Sequence, residues 1–124
     1  GFENLQALAS IRGKITDQEI RDVIARVGLD PADTRPYRKY SLGMKQRLGV
    51  AQAVMERPSL LMLDEPTNAL DEDGVDLVRQ IIREENARGA TVIIASHNKE
   101  DLTTLCGRFY KMNDGTLKEE VLQA

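Results

Sequence analysis

Apolar residues recur three and four positions apart through most of the first 57 residues, then bunch into two unbroken runs. Leu5, Leu8 and Ala9 predict a helix over 3–11 that Gly13 ends. Thr16-Asp17-Gln18-Glu19 has the spacing of a capping box, and Ile20, Val23, Ile24 and Val27 follow on one helical face until Gly28. A loop rich in proline and charge covers 30–38. Ser41 then reads as an N-cap, with Met44, Leu48, Ala51 and Met55 on the apolar face of a helix that stops before Pro58. The first unbroken run, Leu60 to Leu63, predicts a strand buried on both faces of a parallel sheet. A helix is predicted from about Asp73 to Ala87, with Val75, Val78, Ile81 and Ile82 inward and Gly89 at its end. The second run, Thr91 to Ala95, is a β-branched strand. Strand, helix and strand predict a right-handed βαβ unit. Asn98 caps a short helix to Leu105, Arg108 to Met112 reads as a strand, and Asn113-Asp114-Gly115 as a hairpin turn into Thr116-Leu117.

The polar residues at the ends of these elements carry the candidate chemistry. Asp64 and Glu65 stand where the first strand leaves the sheet, at the carboxyl edge where open α/β sheets place ligands. Charge there calls for a partner, and Mg²⁺ on a nucleotide is one, because it takes oxygens from one or two carboxylates and from phosphates. A solvated acidic turn is the plain alternative. Ser96 and His97 end the second strand on the same edge, and His97 is the one histidine of the chain. A lone histidine is more often structural; beside an acidic pair it becomes a candidate. The helix start at Ser41-Leu42-Gly43 offers N–H groups and a positive dipole end to an anion, although taken alone it reads more readily as a well-capped helix with a charged outer face. Gly13-Lys14 does not make a phosphate loop: Leu8 stands where the first glycine belongs, and Ile15 where a Ser or Thr hydroxyl is needed.

Composition bounds the rest. With 124 residues, 41% of them hydrophobic and 30% charged, the chain can build one modest core. A formal net charge of -3 gives no reason to expect nucleic acid as a partner. The single cysteine, Cys106, cannot form an internal disulfide, which suits a reducing cytosol. The apolar runs are too short to span a bilayer, so any membrane link must run through a partner. The chain opens on Gly1, directly in a helical pattern, which leads to the expectation that its beginning is missing.

In fixed order, a Ser-Leu-Gly helix start, an apolar-Asp-Glu strand end, Asn-Ala-Leu-Asp and a Ser-His strand end resemble the ATP-binding cassette (ABC) ATPases. Tyr40 to Arg47 is similar to that family's signature motif, Leu60 to Glu65 to Walker B, Asn68 to Asp71 to the D-loop, and His97 to the switch histidine. The resemblance implies an α/β fold: a partial P-loop NTPase core of parallel strands and crossover helices, preceded by an α-helical subdomain. It divides the chain into 1–57, the helical subdomain with the signature, and 58–124, the later part of the core. Asp64 would then hold Mg²⁺ and Glu65 would be the general base. His97 would contact the γ-phosphate and the water. Ser41, Leu42, Gly43 and Met44 would bind ATP held by a second nucleotide-binding subunit, with Asp71 supporting that dimer contact. Leu42 and Met44 depart from the usual glycine and glutamine, a form resembling exporters of drugs and antimicrobial peptides.

No phosphate loop, adenine-stacking loop or Q-loop is recognisable in the chain. The resemblance puts the phosphate-loop strand between the Val92 and Arg108 strands. The expectations are an ATP- and Mg²⁺-dependent transporter ATPase working with a transmembrane permease on the inner face of the cell membrane. The chain alone is expected to be inactive. The alternatives are a regulatory half-domain pairing with a complete ABC ATPase, and a soluble ABC ATPase without a transport role.

Overall fold

A computed structural model describes residues 2, 3, 5, 16–113 and 116–120. Residues 2, 3 and 5 are helical; the rest of the helix expected over 3–11, Gly13-Lys14 and the Asp114-Gly115 turn lie outside the described residues. Helix α1 (Asp17–Arg26) starts on the expected box: the Thr16 hydroxyl oxygen accepts the Glu19 N–H at 3.2 Å. Ile20, Val23 and Ile24 are buried along it. Gly28 ends it with φ +83°, a left-handed value that favours glycine. A short 3₁₀ turn (Tyr37–Lys39) leads into α2 (Leu42–Val54), with buried Tyr40 between them.

Strand β1 (Leu60–Asp64) follows, then α3 (Glu72–Ala87) and β2 (Thr91–Ala95). β1 and β2 pair in parallel, from Leu60 opposite Thr91 to Asp64 opposite Ala95. After the short helix α4 (Lys99–Leu105), β3 (Phe109–Asn113) and β4 (Thr116–Glu120) form a separate antiparallel ribbon. Among the described residues β2 does not pair with β3.

The core is one apolar cluster. Ile20, Ile24 and Val27 meet Leu48, Ala51 and Val54 of α2, Leu61 and Leu63 of β1, and Val78, Ile81 and Ile82 of α3. Two-sided burial of β1 is not found. Leu61 is 1% exposed, whereas Leu60 and Met62 are 50% and 67% exposed, and Ile93 on the same outer face of β2 is 49%. The reason is coverage: α2 packs against β1 and α3 against β2 on the face that carries Leu61 and Leu63, and no described element crosses the other. The inward face of α3 also differs from the expected one. Val75 is half-buried, and Glu85 is buried among Arg26 of α1 at 3.1 Å and Arg88 at 2.8 Å. Burial alone would raise the Glu85 pKa, but hydrogen bonds from Arg88 and Arg26 outweigh it and the pKa is lowered.

Candidate functional site

Equal register brings the ends of β1 and β2 level, and the chemistry gathers there. The Glu65 N–H donates to the Ala95 carbonyl at 2.7 Å, extending the parallel pairing past Asp64. The backbone then turns into the left-handed region at Glu65, φ +47°. Such a conformation costs a non-glycine residue about 1–3 kcal/mol and persists only where its surroundings impose it. They do so at both ends of the residue. The Glu65 carbonyl accepts the Asn68 N–H at 3.1 Å and the Gln46 side-chain amide at 2.9 Å. The carboxylate reaches across to the end of β2. Oε1 accepts the His97 N–H at 2.9 Å and lies 2.8 Å from His97 Nδ1, while Oε2 accepts the Ser96 hydroxyl at 3.3 Å. Hydrogen bonds from the His97 ring and then its backbone, with Ser96, lower the Glu65 pKa, so the group is held as a carboxylate. The His97 imidazole is fully exposed. A fixed anion beside an exposed imidazole can accept a proton and orient a water molecule.

Asp64 is exposed beside this pair. Among the described residues no three carboxylate, His or Cys side chains cluster as a metal cage. The donor set nevertheless suits Mg²⁺, a hard ion that takes one or two carboxylates and fills its remaining positions with phosphate and water.

The second group of candidates lies at the start of α2. The Ser41 hydroxyl oxygen accepts the Met44 N–H at 3.1 Å, so the cap is real and occupies that N–H. Leu42 and Gly43 precede the first intrahelical bond, Lys45 N–H to Ser41 carbonyl at 3.0 Å, and the Leu42 side chain is 68% exposed. Ser41, Gly43, Met44, Arg47, Leu70 and Asp71 line an open hollow of about 470 Å³. A Cβ at position 43 would sit 3.1 Å from the Ala69 carbonyl oxygen, so glycine there lets α2 approach the turn that follows β1. Asp71 has a structural role that the sequence did not reveal: its carboxylate accepts the Gly74 N–H at 2.8 Å as the N-cap of α3, and it faces Arg47 at 3.7 Å. Arg47 also donates to the Val27 carbonyl at 3.1 Å, tying α2 to the end of α1.

A third group was absent from the sequence reading. Asp101 of α4 is fully buried, accepting a hydrogen bond from Arg79 Nε of α3 at 2.8 Å, with Arg79 Nη2 in ion-pair contact at 2.6 Å, and a short hydrogen bond from the Thr67 hydroxyl. It latches the turn after β1 to the helix after His97. Asn98 caps α4 through the Asp101 N–H at 3.0 Å, so the Asn98–Asp101 spacing was legible as a cap while the burial of Asp101 was not.

Residues 2–68 match the family described as ABC transporter. The chain belongs to the ABC transporter family. It is 50% identical over 117 residues, 94% of this chain and 54% of the relative, to the uncharacterized ABC transporter ATP-binding protein YybJ of Bacillus subtilis (strain 168). Over 98% of this chain and 40% of the relative it is 39% identical to the bacitracin transport ATP-binding protein BcrA of Enterococcus faecalis. The chain therefore spans about half the length of the curated relatives it matches. A dimeric ATP-binding cassette solved in a post-hydrolysis state with ADP and Pi superposes with a TM-score of 0.84 over 99% of this chain and 56% of that one, at 22% identity. That likeness establishes the fold, part of the ABC ATPase core of the P-loop NTPase class.

Proposed function

We propose that this chain supplies the signature-to-switch portion of the ATP-binding subunit of an ABC transporter, an ATPase whose turnover drives export. The observation that carries this reading is Glu65. It is an ionised carboxylate at the carboxyl edge of a parallel sheet, in a left-handed turn, with His97 against it at 2.8 Å. Glu65 is the general base that orients the attacking water, His97 holds the carboxylate and faces the γ-phosphate, and Asp64 supplies an oxygen to Mg²⁺. Mg²⁺, when bound, neutralises charge on the phosphates. The helix start at Ser41, Leu42, Gly43 and Met44 faces ATP held by a second subunit, and Asp71, which caps the neighbouring helix, supports that contact. Separate grouping of Glu65 with His97 and of Ser41 with Asp71 supports this division into two half-sites. The subunit works with a membrane permease on the cytoplasmic face; among the described residues no helix is long and apolar enough to cross a membrane. Export of an antimicrobial compound is favoured by the Ser-Leu-Gly-Met form and by the bacitracin transport relative. The stretches 1–57 and 58–124 are the two functional parts, with the permease contact within Glu3 to Arg38.

The test is ATP hydrolysis by the full-length protein that carries this chain, with and without Glu65→Gln. Turnover should fall by about 10²-fold or more while ATP binding persists. Unchanged turnover would overturn the assignment. The chain by itself is expected to bind ATP weakly and not to turn over. Robust ATPase activity from the chain alone would contradict that expectation.

A further inference from the structure

Among the described residues, a side chain of α2 reaches from one half-site to the backbone of the other. Gln46 lies on α2 four residues beyond Leu42, about 6 Å along the helix from the start that carries Ser41. Its amide donates to the carbonyl of Glu65 at 2.9 Å, and the Asn68 N–H occupies the other side of that oxygen. The bond therefore restrains the peptide unit that leaves Glu65, one of the two whose orientation sets its left-handed turn.

Nothing in the local sequence makes Glu65 adopt φ +47°, because glutamate has no side-chain means of favouring it. The restraint is mostly tertiary: the Ala95 carbonyl holds the N–H, Ser96 and His97 hold the carboxylate, and Gln46 holds the carbonyl together with one local bond, from the Asn68 N–H. Of these holders Gln46 alone comes from α2. Arg47, next to it, fixes α2 to the Val27 carbonyl and to Asp71. A displacement of α2 by an anion at its start would thus reach the Glu65 backbone through a short, half-buried contact.

We propose that Gln46 is a positioning residue for Glu65, which couples the helix that meets the partner-held nucleotide to the base of the chain's own site. The inference rests on the reading of Glu65 as the base. Gln46 itself touches no reacting atom; it keeps the carboxylate in register with the water it must orient. Misplacement on the scale of an ångström costs about a hundredfold in rate.

The experiment uses the full-length protein with Gln46→Met, which keeps length and removes the donor, and Gln46→Glu, which keeps shape and places an acceptor against the carbonyl. Each is measured for kcat, KM for ATP and thermal midpoint, alone and combined with Glu65→Gln. Loss of kcat by about ten- to a hundredfold, with KM and midpoint little changed and Gln46→Glu the more severe, is the expected result. Added to Glu65→Gln, neither substitution should lower turnover further, because Gln46 acts through the group already removed. Full kcat in both single variants, a loss that only follows the folded fraction, or a further loss in the double variants would overturn the inference. Turnover that survives Glu65→Gln would overturn the base assignment and this inference with it. Turnover lost in Glu65→Gln but intact in both Gln46 variants would overturn this inference alone.

Discussion

At the scale of one residue, Glu65 concentrates the unusual physics of the chain. Its backbone sits in a conformation that its side chain does not favour, and its carboxylate accepts from Ser96 and His97. Because these bonds lower its pKa, the charged form persists as the pH falls below the ordinary glutamate range. A carboxylate with a depressed folded pKa contributes stability that is present above its unfolded pKa and is lost as the pH falls through the folded one. Activity that needs ionised Glu65 should therefore be flat through neutral pH and fail only on the acid side of the usual glutamate value. Replacing His97 by alanine removes the largest cause of the shift, so the acid limb of kcat/KM in the full-length protein should move to higher pH. An unmoved limb would show that another group sets it.

At the scale of elements, caps do two jobs. Asp71 ends the turn after β1, starts α3 and meets Arg47 of α2. Asp71→Ala should cost about 1 kcal/mol of stability through the lost cap, read from denaturant unfolding. Asp71→Asn should cost much less, because asparagine caps as well as aspartate, while the attraction to Arg47 disappears. Comparing turnover of the two variants separates the cap from the charge. Ser41 is the simpler case: a capped helix start whose first N–H groups, at Leu42 and Gly43, stay outside the intrahelical ladder. Gly43 completes it by leaving room for the Ala69 carbonyl.

At the scale of the whole molecule, two buried ionic groups clamp elements far apart in sequence. Glu85 ties α3 to α1 through Arg26, and Asp101 ties α4 to α3 and to the turn at Thr67. Removing one partner of such a pair leaves the other charge buried, which costs about 3–5 kcal/mol. Asp101→Ala should therefore lower the thermal midpoint of the full-length protein strongly. It should also lower turnover beyond the loss of folded protein, since His97 and Thr67 flank the site on the two elements it joins. A midpoint shift near zero would mean that Arg79 finds solvent instead.

Periodicity and end signals, which are local, made α1, α2 and α3, the two parallel strands and their order readable from the sequence. The caps at Thr16, Ser41 and Asn98 were readable for the same reason, since a cap needs only residues three positions apart. Asp64, Glu65 and His97 were identifiable as a set because strand ends at one edge of a parallel sheet must lie side by side. Tertiary structure alone decided the rest. The exposure of Leu60 and Met62 among the described residues, the inward turn of Glu85 and Asp101, and the grip of Gln46 on the Glu65 carbonyl all depend on which distant element arrives. An unbroken apolar run is written the same way whether one face or two is covered. A glutamate forced left-handed carries little mark in its own neighbourhood, because apart from the nearby Asn68 N–H the bonds that hold it come from residues 19 to 32 positions away.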